Sequence, residues 1–126
     1  KAELLAMLHV MHMDENLILR YKMQTRAEQL LSPEFARIIA QGVEEGVFET
    51  EFVEESAGIT LAIMQSLADP LYAILLNPDN FDDPVALARR KYAAVEAAIE
   101  RVLGAPPGSL SFVDAQMLPS WFEDSN

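Results

Sequence analysis

The sequence predicts an all-α protein built as a bundle of five helices. Apolar residues recur at intervals of three and four along successive segments, and no stretch alternates apolar with polar residues long enough to make a sheet. Acid-or-serine-then-proline pairs open segments and glycines close them, which is how helix ends are written in a sequence.

The first segment, Ala2 to about His12, carries Leu4, Leu8 and Met11 at helical spacing. A break is expected at Asp14, a good N-cap residue. From Glu15 to Leu31 a second stripe runs through Leu19, Met23, Ala27 and Leu30, with Arg20, Lys22 and Arg26 off it. Ser32 and Pro33 then read as a fresh start: the serine can cap free amides, and proline loses nothing at the first helical position. Phe35, Ile38, Ile39, Gly42 and Val43 form the apolar face of this third helix, which Gly46 ends.

Thr50 is placed to cap a fourth helix from about Glu51 to Leu76, in which Thr60, Met64, Leu67, Leu71 and Ile74 make a seam of coiled-coil spacing. Pro70 should kink it. After a polar connection, Asp83 and Pro84 repeat the start signal for a fifth helix that runs to Leu103 and stops at Gly104. Val85, Ala88, Tyr92, Val95, Ile99 and Val102 are its stripe. Residues 1–104 thus form one helical domain. Residues 105–126 form a tail whose Phe112, Met117, Leu118, Trp121 and Phe122 should pack back on it, with a short helix expected after Ser111.

Composition narrows the function. Hydrophobic residues at 51% and charged residues at 23% belong to a folded chain. The longest uninterrupted apolar run, Leu71 to Leu76, is far short of the ~20 residues of a membrane span, so a soluble, cytoplasmic protein is expected. The absence of cysteine removes disulfides and thiolate metal sites. A net charge of −11 opposes phosphate contact, so these residues should not bind DNA.

Catalytic chemistry finds no support. The serines sit at caps, within helices or in the tail, without a nucleophile-elbow pattern, and no glycine-rich phosphate loop is present. His9 and His12 stand three apart near Asp14 and Glu15, yet two histidines give half of a tetrahedral site and HExxH is missing. The chain is read as neither an enzyme nor a holder of metal or cofactor.

The last two helices are apolar on two sides, more than the shorter helices can cover. A second copy would complete a four-helix bundle across a two-fold axis. The expected interface is Leu67, Leu71 and Ile74 on the fourth helix with Ala88, Tyr92, Val95 and Ile99 on the fifth.

The segment Ser32 to Phe48, SPEFARIIAQGVEEGVF, resembles the corresponding helix and turn of TetR/AcrR-type transcriptional regulators: Pro33, Ile38, Ile39, Gly42, Glu44, Glu45, Gly46, Val47 and Phe48 carry the likeness. With the two long closing helices the resemblance extends over about residues 1–103, and the tail lies outside it. It implies the C-terminal ligand-binding and dimerisation domain of a repressor, a homodimer released from DNA by a small apolar effector. The N-terminal helix-turn-helix domain would belong to the parent protein, since none precedes Lys1 here. The effector pocket it implies lies between the first four helices, lined by Met7, Met11, Tyr21, Phe35, Ile39, Ile63 and Met64, whose methionines suit an adaptable apolar site. Two other readings stand beside it: a stand-alone acidic helical interaction module, and a small metal-dependent enzyme using the two histidines.

Overall fold

The computed structural model describes residues 1–111 and 117–122, and among these every regular element is helical. Five α-helices follow in order: α1 (Ala2–Met11), α2 (Leu17–Glu44), α3 (Val53–Gln65), α4 (Ala68–Leu76) and α5 (Pro84–Leu103). Short 3-10 turns occupy Asp14–Asn16, Pro78–Asn80 and Leu118–Phe122. Phe112 and the helix expected after Ser111 lie at least partly outside the described residues, whereas the Leu118–Phe122 turn packs on α5.

The expected second and third helices are one. α2 continues through Pro33, which removes the amide that would reach the Gln29 carbonyl. Gln29 and Pro33 are both exposed, so the freed carbonyl is open to solvent and the helix survives its missing bond. The earlier break does occur near Asp14, but that residue sits in the 3-10 turn, without a side-chain cap, and α2 begins at Leu17.

The expected fourth helix is two arms meeting at Ser66 and Leu67. Pro70 cannot donate to the Ser66 carbonyl, and its ring crowds the turn before it, so the ladder breaks there. The Ser66 hydroxyl donates to the Ile63 carbonyl, and ordinary helical bonding resumes with Leu71 N–H to Leu67 C=O at 3.0 Å. At the start of α3, Thr50 does not cap the helix. Its hydroxyl accepts from the Phe52 amide (3.1 Å) in a turn just ahead of Val53.

By length and composition alone the Val53–Leu76 rod is apolar enough to cross a membrane, although its uninterrupted apolar runs are short. Of its most apolar stretch 17% is buried within this chain.

The core is the meeting of α2, α3 and α5. Ile39, Ala57, Ile99 and Leu103 are its buried centre, with Phe35, Val43, Phe48, Val95 and Leu110 packed around them. Asp83 caps α5 by accepting from the Ala86 amide at 3.0 Å, and Gly104 ends it with φ 61°, both as the sequence predicts.

Candidate functional site

The turn between α2 and α3 is the most constrained local structure. Gly46 takes φ 77°, and the amides of Val47 (2.8 Å) and Phe48 (3.0 Å) both donate to the Gly42 carbonyl, closing the helix end. This folds the Phe48 ring onto Gly42, where a Cβ would come within 2.2 Å of the ring. The turn is then fastened to the far end of α5. Glu49 N–H donates to Leu103 C=O at 2.8 Å, and Gly104 leaves only 2.4 Å between a would-be Cβ and the Glu49 carbonyl oxygen. Glycine, glycine and phenylalanine at this spacing therefore have a mechanical reason.

The seven expected pocket residues divide. Phe35, Ile39, Ile63 and Met64 come together, but as core: Ile39 is fully buried and the other three pack against its cluster. Met11 is half-buried, while Met7 (53% exposed) and Tyr21 (68%) face outward. The stripes expected for α1 and the first half of α2 stay largely exposed, with Leu4, Leu19, Met23 and Leu30 each about half exposed, away from the core of Ile39, Ala57, Ile99 and Leu103.

A cavity of about 320 Å³ opens elsewhere, between α1, α4 and the Leu118–Phe122 turn. Leu4, Leu5 and Leu8 form one wall with Lys1, Leu75 another, and Trp121 with Ser120 the third. None of the seven expected residues lines it. The signal available in the sequence was Leu4 and Leu8 on one stripe and an apolar tail beyond the Gly104 stop. What joins them is long-range packing.

Of the expected interface residues, Ile74, Ala88 and Ile99 are buried inside their own chain. Leu67, Leu71, Tyr92 and Val95 stay partly exposed. Leu67 and Val95 border a groove of about 190 Å³ between the bend and α5, with Ser66, Pro70, Lys91 and Ala94. Burial raises the Tyr92 phenol above its ordinary 10.0.

His9 and His12 both meet Tyr72 of α4. His12 stacks flat on Tyr72 with ring centres 3.9 Å apart, its Nδ1 lies 2.8 Å from the Leu8 carbonyl, and its Nε2 lies 3.1 Å from Asp69 Oδ1. His9 Nδ1 lies 3.3 Å from the Tyr72 hydroxyl. Together they fasten α1 to α4. Among the described residues no group of three or more His, Asp or Glu side chains is placed to hold a metal ion.

Comparison with known protein families, curated proteins and solved structures gives no match to this chain.

Proposed function

We propose that the chain is the effector-binding and dimerisation part of a TetR-type transcriptional regulator, a cytoplasmic repressor component without catalytic activity. One observation carries this reading: the residues that make the resemblance, Gly42, Gly46 and Phe48, form a turn that depends on their identities, since the ring lies on one glycine and the other supplies the left-handed backbone. Helix capping alone would call for Gly46 but not for the Gly42–Phe48 pair. The long bent rod of α3 and α4 beside α5 is consistent with the same reading.

In such a protein DNA is held by a separate helix-turn-helix domain, and a net charge of −11 suits a segment that stays off the phosphates. A second copy would meet Leu67, Leu71, Tyr92 and Val95 across the groove beside the bend. An effector that favours one arrangement of the pair would alter the distance between DNA-reading heads, which must match half-sites about one helical turn apart. The test is the reading frame 5′ of the Lys1 codon. A helix-turn-helix of about 45–60 residues is expected there; a start codon in its place would favour the acidic interaction module, the reading the charge itself supports.

A further inference from the structure

The cavity between α1, α4 and the Leu118–Phe122 turn has walls fixed from both sides. α1 runs against α4 so that His12 meets Asp69 and Tyr72 at one end, while Leu4, Leu5 and Leu8 face Leu75 at the other. The third wall is anchored through Leu118, buried to 2% exposure. The cavity opens to solvent on one side, where Leu4 is 54% exposed, so an apolar solute entering it would cover leucine surface that otherwise faces water. Four leucines and an indole make most of the lining, and its polar side-chain groups are the Lys1 ammonium, the Ser120 hydroxyl and the Trp121 indole N–H.

We infer that this cavity binds a medium-chain aliphatic carboxylate, with the hydrocarbon among Leu4, Leu5, Leu8, Leu75 and Trp121 and the carboxylate at the Lys1 ammonium. Size sets the chain length. At the close-packed density of ~0.74, 320 Å³ holds about 240 Å³ of van der Waals volume, that of a saturated acid near dodecanoate. Polarity sets the head group. A lysine ammonium has three donors, so it can pair with a carboxylate and keep another partner. The Ser120 hydroxyl donates to the Met117 carbonyl at 2.7 Å, and the head is assigned to Lys1 as the cationic residue of the lining. With the whole chain at −11, no general anion attraction exists, and recognition must be local. That the site is an effector site rests on the proposed function; that it binds is tested apart from it.

Trp121 is the sole tryptophan, so its emission reports on the cavity directly. Titration of the chain with sodium dodecanoate below its micelle concentration should give a saturable, one-to-one blue shift. Lys1→Glu, at an exposed position, should weaken binding about tenfold or more, and dodecanol should bind more weakly than dodecanoate by a similar factor. Leu8→Phe, which fills the space, should abolish the shift while circular dichroism shows the helices intact; should it unfold, Lys1→Glu and dodecanol still decide. No saturable shift, or equal binding by the Lys1→Glu variant and by dodecanol, overturns the inference. Binding without a helix-turn-helix upstream would keep this site and remove the regulator reading, and a helix-turn-helix without binding would do the reverse.

Discussion

In the sequence Gly104 reads as a helix stop and Gly42 as one small residue of an apolar face, and the structure separates them further by what a methyl group would strike. At Gly42 it would strike the Phe48 side chain; at Gly104 it would strike the Glu49 backbone oxygen while also requiring φ 61°. Gly42→Ala should therefore cost about 1–3 kcal/mol, the usual range for overpacking. Gly104→Ala should cost more, and Gly46→Ala, left-handed but in open space, about 1–2 kcal/mol. Urea titration of the three variants checks the order, and Gly46→Ala proving the worst would contradict the packing. Tyr92 gives a pH effect. Below pH 10 both folded and unfolded chains keep the phenol proton; above it the unfolded chain releases it first, because burial raises the folded value. Stability should fall as pH rises above 10, and Tyr92→Phe should flatten that fall in thermal melts. At this scale the sequence showed which residues were special at the turn. It hid their partners, as with His12, whose ring lies against Tyr72 and near Asp69 on a helix far along the chain.

Two identical start signals met different fates, and the difference belongs to the elements around them. Asp83 follows the non-helical stretch from Asn77, and its carboxylate reaches the Ala86 amide. Ser32 follows a run already periodic, and the helix passes through Pro33 at a site open to solvent. Local motifs cannot see whether the preceding turn is helical, so Ser32–Pro33 was misread and Asp83–Pro84 was not. Pro33→Ala should restore one backbone bond and raise stability by up to about 3 kcal/mol, readable as a higher melting temperature at unchanged helix content. No gain would mean that water already compensates fully. Pro70 differs, because the bend it produces sets α4 against α1. Its position was legible, and the break simply falls one turn earlier, at the carbonyl its ring displaces.

The molecule as a whole exposes 8747 Å², against about 6,700 Å² for a compact monomer of 14.0 kDa. Much exposed apolar surface follows α2, where Leu19, Met23, Leu30, Leu31 and Ile38 are each about half exposed. Periodicity revealed every apolar stripe but could not say which stripe meets its own chain, which is why Ile74, Ala88 and Ile99 were assigned to a partner while they fill the core. Under the dimer proposal, Tyr92→Glu should shift sedimentation toward monomer without loss of helix, since Tyr92 is only partly buried in one chain. An unchanged dimer would place the contact elsewhere.

The Glu49 amide hangs on the last carbonyl of α5, and the Ala105 amide closes the same helix end on Glu100. Solvent deuterium can reach either one only when that final turn opens. The two sites should thus exchange in step, although one belongs to the middle of the chain and the other to its far end, so that fraying at the close of the last helix would be felt where the second and third helices join.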